Sequence, residues 1–241
     1  MRRSKTRLVI LLLLAGFILF WRGVAVDISA EQLERVFFIR DAVTAKHRWQ
    51  NYVTTDKIPL NLKQAIVSVE DGRFYEHHGF DAIGIARAAL VNAQSGEIEE
   101  GGSTITQQVV KNLFLSSEQT IGRKVEEIIL AVVMEQNFSK DEILELYLNT
   151  IYFGSDFYGV GEASEGYFGK APLDLNLAEA SMLAGLPNAP SLYSPYVDFM
   201  LAKKRQFVVL DAMERSGYVT AAAANAAKIE PIHLARVNTE E

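Results

Sequence analysis

Cysteine is absent from this 241-residue chain. That excludes disulfides, cysteine-based zinc sites and a cysteine nucleophile, but it does not identify a compartment. Few stretches alternate polar and apolar residues with period two, so the chain reads as mainly α. Internal repeats and low-complexity linkers are missing as well. No basic stripe occurs outside the first residues: net charge is −6, and setting aside the +4 of Arg2, Arg3, Lys5 and Arg7 the remainder carries −10. A body that acidic is a poor partner for nucleic acid. The chain is rich in apolar residues, at 49%, enough for one large or two small domains with a real core.

The apolar residues are unevenly spread. An unbroken apolar run covers 8–21, and after Arg22 it resumes to residue 26. As a helix, at about 1.5 Å per residue, 8–26 spans close to the roughly 30 Å hydrocarbon core of a bilayer. Arg22 can snorkel and Trp21 can sit at the interface. Basic residues before the run place a 1–7 tail in the cytoplasm and the body outside. No A-x-A-like site follows, so an uncleaved single-pass anchor is expected rather than a cleaved signal peptide. A connector over 27–50 follows, helical or extended, and a domain over 51–241.

Within that domain, helices are expected from just after Asn61, then over 83–93, 104–114, 123–137, 140–149, 177–186, 197–215 and 221–227. Ser103 is a plausible N-cap for the helix at 104. Ser139 with Glu142 forms a capping box for the helix at 140. The middle of the 123–137 helix, 128–134, is apolar all round and is expected to be buried.

Polar residues cluster at a few points. In VEDGRFYEHHGFD, 69–81, Glu70 falls four residues after Ile66, on the edge of an apolar face made by Leu62, Ala65, Ile66 and Val69. Partial desolvation there raises a carboxylate's pKa and suits a general acid or base near neutral pH. A solvated helix end is the plainer alternative. In GGSTITQQVVKN, 101–112, helical spacing aligns Ser103, Gln107 and Lys111, with Thr104 and Gln108 in a parallel row. This is either an ordinary solvated face or a hydrogen-bonding wall for a sugar. In RKVEE, 123–127, Glu127 lies one turn from Arg123 and three residues from Lys124. Cations and the helix start should hold it as a carboxylate, so Glu70 and Glu127 would ionise differently, as acid–base pairs require. A structural ion pair at a helix start is the plainer reading of the spacing alone. The runs KDEILELYLNTIYFG, 140–154, and EASMLAGLPNAPSLYSP, 179–195, read as scaffold.

Taken in order, EDGRFYEHHGFD, GGSTITQQVVKNLF, RKVEE, KDEILELYLN and LAGLPNAPSLYSP closely resemble the peptidoglycan glycosyltransferase domain. That domain stands at the front of class A penicillin-binding proteins and alone in monofunctional transglycosylases. The resemblance implies a lysozyme-like helical head with a small membrane-proximal jaw. It also implies polymerisation of lipid II into β-1,4 glycan on the outer face of the bacterial cytoplasmic membrane, with release of undecaprenyl pyrophosphate. By that resemblance Glu70 is the general base and Glu127 assists the departing pyrophosphate. Lys111, Arg123 and Lys124 match cations of the donor side. Ser103, Thr104, Gln107 and Gln108 match the polar motif of the cleft, and Asp71, Phe74 and His77 match positions that shape the first motif. No cofactor is required. A divalent cation such as Mg²⁺ at the pyrophosphate is compatible with the family, and no metal ligand set is assigned.

The chain departs from the family at Gln119, where many relatives carry an arginine that meets the pyrophosphate. S-x-x-K and K-T-G, the marks of a transpeptidase, do not occur, so a monofunctional enzyme is expected. The expected partners are lipid II, the lipid-linked growing glycan chain and the membrane, with penicillin-binding transpeptidases and other cell-wall proteins as the protein class. Two other readings stand beside this one. A lysozyme-like hydrolase would also use paired carboxylates, and a non-catalytic cell-wall scaffold would need neither.

Overall fold

The computed structural model describes residues 34, 36–39, 51–95, 101–115 and 120–235. The basic tail, the 8–26 run, most of the 27–50 connector and Gln119 lie outside the described residues. Among the described residues the structure is mainly helical with no strand, only an isolated bridge between Tyr152 and Tyr158. None of these helices is long and apolar enough to cross a membrane. Val36 and Ile39, ahead of residue 51, already belong to the buried core, while Phe37 and Phe38 are exposed.

The helices are α1 (Leu60–Glu70), α2 (Ala82–Ser95), α3 (Ile105–Phe114), α4 (Ile121–Asn137), α5 (Lys140–Thr150), α6 (Gly159–Phe168), α7 (Leu177–Gly185), the single turn α8 (Pro190–Tyr193), α9 (Phe199–Arg215) and α10 (Ala221–Ile229). Helices α1, α7 and α9 pack mutually, and α3, α5 and α6 form a second group through α3 on α5 and α5 on α6. The strongest packing partner of α4 is α3.

Helix α1 starts at Pro59, whose extended backbone leads into the first turn, and buries Leu62, Ala65, Ile66 and Val67. It ends because Asp71 leaves helical geometry at φ −157°, ψ 72°. Glu70 is therefore the last residue of a helix whose other face is core. Helix α5 is largely enclosed, with every residue from Ile143 to Thr150 buried. Its expected capping box is present: Ser139 Oγ accepts from the Glu142 N–H, and the Glu142 carboxylate accepts from the Ser139 N–H. Two polar side chains of α5 clip the incoming chain. Glu145 accepts from Tyr52 Oη and the Thr55 N–H, both at 2.7 Å. Asn149 accepts from the Val53 N–H at 2.7 Å and donates to the Val53 carbonyl at 2.8 Å.

Three expectations need correction. Thr104 rather than Ser103 caps α3, because Thr104 Oγ1 accepts from the Gln107 N–H while the Gln107 amide oxygen accepts from the Thr104 N–H. Helix α4 begins at Ile121, capped by Thr120, and only Glu127, Leu130, Ala131 and Met134 are buried. Its apolar middle is thus one-sided, since it packs chiefly against α3 instead of lying inside the core. Helix α6 was not expected at all, because four glycines stand within or beside it. Those glycines serve close packing: a Cβ on Gly161 would lie 2.6 Å from the Asn51 carbonyl oxygen, and one on Gly166 would lie 2.2 Å from the Phe157 ring.

Candidate active site

The sharp end of α1 delivers Glu70 to the wall of a cleft of about 540 Å³, facing α3 and α9. Gln108 on α3 donates from Nε2 to Glu70 Oε2 at 2.9 Å. The other oxygen, Oε1, is buried and has no hydrogen-bond partner among the described residues. Burial pushes the Glu70 carboxyl above the usual glutamate range; the Gln108 hydrogen bond and the charges of Arg205 and Lys111 partly oppose this. Among the described residues lining the cleft, Glu70 is the one acid, against the cations Arg73, Arg87, Lys111, Arg205 and Arg215.

The residues of 101–112 separate into two sets. Gln108 and Lys111 line the cleft, with Ser103 at its rim. Thr104 and Gln107 point the other way and are buried, the first also donating from Oγ1 to the Gly79 carbonyl at 2.8 Å. The rows therefore run 104–107 and 108–111, three residues apart, where helical spacing of four had been expected to align Ser103 with Gln107 and Thr104 with Gln108.

Behind Glu70 the first motif is a buried polar hub. Asp71 accepts from His77 Nε2 at 3.0 Å and from the Ile105 N–H at 3.0 Å, so one carboxylate ties the end of α1 to the start of α3. A carboxylate at a helix N-terminus is well placed for the helix dipole. Phe74 is fully buried under Lys140, whose Nζ lies 4.4 Å from the ring centroid. Lys140 also pairs with Glu135 at 2.7 Å. Asp81 accepts from Arg73 Nε at 3.1 Å and from the Ile83 N–H at 3.0 Å, which fixes the start of α2. Burial works against ionisation of Asp81, but bonds from the Gly84 and Ile83 backbone and the charge of Arg73 outweigh it and hold its carboxyl low. Asp71, Phe74 and His77 thus stand behind the cleft wall and shape it.

Glu127 is buried on α4 and sits between two cations. Arg123 donates to its Oε2 at 3.2 Å, and Lys124 makes a short contact with its Oε1. Lys124 reaches on to Ser103 Oγ at 2.9 Å, so the third motif joins the rim of the Glu70 cleft through one hydrogen bond. Both Glu127 oxygens are engaged by side-chain cations, and no group of three or more His, Cys, Asp or Glu among the described residues could hold a metal.

A sequence model of the family described as Transglycosylase matches residues 38–214. The chain belongs to that family, the peptidoglycan glycosyltransferases. Penicillin-binding protein 1A of Escherichia coli (strain K12) is 51% identical over 168 residues, 70% of this chain and 20% of that protein. Penicillin-binding protein 1A of Vibrio cholerae is 49% identical over 177 residues, covering 73% of this chain and 22% of the relative. Penicillin-binding protein 1A/1B of Bacillus subtilis is 47% identical over 180 residues, 74% of this chain and 20% of its own length. The chain thus matches about a fifth of the length of these relatives. The crystal structure of penicillin-binding protein 1A from Haemophilus influenzae aligns over 78% of this chain and 18% of that one, with 24% identity and a TM-score of 0.46.

The transglycosylase cleft contains residues that sequence reasoning passed over. Arg205 on α9 faces it, as do Arg87 on α2 and Arg215 at the end of α9. The signal was thin: Lys203-Lys204-Arg205 is a cationic run in a helix otherwise read for its apolar face. Neither Arg205 nor its neighbours sit in a motif that spacing alone marks as chemical.

Proposed function

We propose that this chain polymerises lipid II into β-1,4 glycan, with Glu70 as general base. The observation that carries the reading is Glu70 itself. It is one desolvated carboxylate, hydrogen-bonded on one oxygen and without a partner on the other among the described residues, in a cleft whose other described charged residues are all cations. A base with a raised pKa can take a hydroxyl proton near neutral pH. The cations serve a diphosphate, which a hydrolase acting between neutral sugars does not need to hold.

In this reading the 4-hydroxyl of the acceptor sugar attacks the anomeric carbon of the lipid-linked chain. The new C–O bond forms as the bond to the diphosphate oxygen breaks, the diphosphate keeps the electron pair, and the hydroxyl proton passes to Glu70. Lys111 stabilises charge developing on the leaving group, and Glu127 orders the cations Arg123 and Lys124 beside Ser103. Ser103 and Gln108 contact substrate, while Asp71, Phe74, His77, Thr104 and Gln107 hold the wall in place. The helical body is the lysozyme-like head of such an enzyme, with a small membrane-proximal jaw. The 8–26 run anchors the chain in the bacterial cytoplasmic membrane with the body outside, and cell-wall transpeptidases are the partner class. No S-x-x-K or K-T-G motif occurs in these 241 residues, and we assign them no transpeptidase chemistry.

The test is lipid II consumption by the purified chain. Wild type should lengthen glycan from lipid II and leave preformed, lipid-free peptidoglycan intact. Glu70→Gln should lose roughly 10²- to 10⁴-fold in rate, the range for general-base loss. Release of fragments from lipid-free peptidoglycan with lipid II untouched would establish the hydrolase instead.

A further inference from the structure

A smaller hollow of about 240 Å³ adjoins the Glu70 cleft. Its walls continue three segments of the cleft. Ser68, Arg73 and Ser216 line the cleft, while Val67, Tyr75 and Tyr218, one or two residues away from them, line the hollow. Asp141, in the first turn of α5, stands on the wall beside Tyr75. Tyr75 donates from Oη to Asp141 Oδ1 at 3.2 Å, and its ring meets the Phe74 ring edge-on, with centroids 5.1 Å apart. Burial first, then the charge of Asp141, push the Tyr75 hydroxyl up to about 12, so it stays protonated and remains a donor.

The cations near Asp141 are committed elsewhere. Lys63 also lines the hollow, but its Nζ donates to the Thr55 carbonyl at 3.1 Å. Lys140, next in the chain, spends its Nζ on Glu135 and on the Phe74 ring. Asp141 therefore makes no ion pair among the described residues, and Tyr75 is the side chain that bonds it. Both tyrosines reach solvent, Tyr75 at 53% exposure and Tyr218 at 37%. A carboxylate beside two tyrosine rings suits a primary ammonium: the carboxylate offers a charge-assisted hydrogen bond, and the rings add cation–π attraction. Val67 gives the carbon stem of such an amine an apolar floor.

The substrate of the reaction proposed above, on which this inference rests, carries a short peptide on its disaccharide. A side-chain amine on that peptide is the cation at hand. From Glu70 back to Gln64, α1 rises about 9 Å. Three residues of extended peptide reach about 10 Å, so the hollow lies within range of a sugar held at Glu70. We propose that the hollow between Tyr75, Asp141 and Tyr218 binds the side-chain ammonium of the peptide borne by lipid II. The chain then selects among substrates by their peptide, at a place apart from the diphosphate and the reacting carbon.

The experiment gives the full chain two forms of lipid II, one with the side-chain amine of the peptide free and one with it acetylated. Wild type should prefer the free amine by about five- to tenfold in kcat/KM, the combined worth of one exposed ion pair and one cation–π contact, with the difference in KM. Asp141→Asn, nearly the same in shape, should bring that preference close to unity. Tyr75→Phe keeps both ring and carboxylate and should keep the preference. A purely structural Tyr75–Asp141 bond would make the two variants behave alike. Indifference of wild type to acetylation overturns the proposal, as does a preference that survives in Asp141→Asn. If wild type extends neither form, the proposed function fails separately, and the lipid-free disaccharide-peptide then tests the hollow by NMR. The ring signals of Tyr75 and Tyr218 should shift with the free amine and not with the acetylated one. Equal shifts with both, or none with either, overturn the proposal on that arm too.

Discussion

The side-chain amide of Gln108 donates to one oxygen of Glu70 and leaves the other oxygen buried with no partner among the described residues. A carboxylate satisfied on one side only is held in orientation and kept basic at the same time. The amide favours the ionised form; burial favours the neutral one and prevails.

Removing the amide should therefore move the acid limb of the pH–rate profile. Glu70 works as a base only when deprotonated, so activity rises as pH climbs through its raised pKa. Gln108→Leu takes away a group that lowers that pKa. The acid limb of kcat/KM should shift to higher pH, by an amount read directly from profiles of the two proteins. A limb that stays in place would mean another group titrates there.

The same shift has a consequence for stability. A carboxyl whose folded pKa lies above its unfolded value stabilises the fold while protonated, and that contribution is lost as pH rises through the folded pKa. Wild type should lose stability across the window that starts at the ordinary glutamate range and ends at the raised value. Glu70→Gln should flatten that slope. Urea denaturation of both proteins at several pH values compares the slopes.

Asp71 should matter first for stability. Asp71→Ala strands His77 Nε2 and the Ile105 N–H, both buried, at a cost of about 2–4 kcal/mol for two unmet donors. Thermal melts should show a single, lower transition. A variant as stable as wild type but inactive would instead place Asp71 in direct contact with substrate.

Gly79 should tolerate no side chain. Its φ is +90°, and a Cβ would lie 2.8 Å from the Ala131 carbonyl carbon and oxygen and the Val132 nitrogen. All three atoms belong to one backbone peptide, which cannot swing away as a side chain could, so Gly79→Ala should cost about 3 kcal/mol or more. The urea midpoint reads this.

Tyr147 offers the opposite sign. It is fully buried, its hydroxyl has no partner among the described residues, and burial together with the charges of Glu70 and Asp71 pushes its pKa well above the usual tyrosine value. Tyr147→Phe removes an unmet polar group of the kind that costs about 1–3 kcal/mol when buried. The variant should melt no lower than wild type. A clear loss of stability would reveal a hydrogen-bond partner, such as a buried water.

The amino-acid sequence by itself determined whatever depends on neighbours a few residues apart. The apolar face of α1 and the position of Glu70 at its edge follow from spacing, as does the Ser139–Glu142 capping box. So does the pairing of Glu127 with Arg123 and Lys124, three and four residues away on one helix. The ordered motifs also carried the family. Tertiary structure decided the rest, because it rested on partners far along the chain. Gln107 and Gln108 are the same residue type one step apart, yet one caps a helix in the core and the other holds the base, a choice made by which side of α3 meets α1. The glycines of α6 look like helix breakers until Asn51 and Phe157 are seen pressed against them. Residues 128–134 look buried on every side until α4 is seen packing chiefly against α3. Arg205 enters the site only because α9 crosses α1, which places a residue 135 positions downstream beside Glu70; periodicity along one helix contains no trace of that crossing.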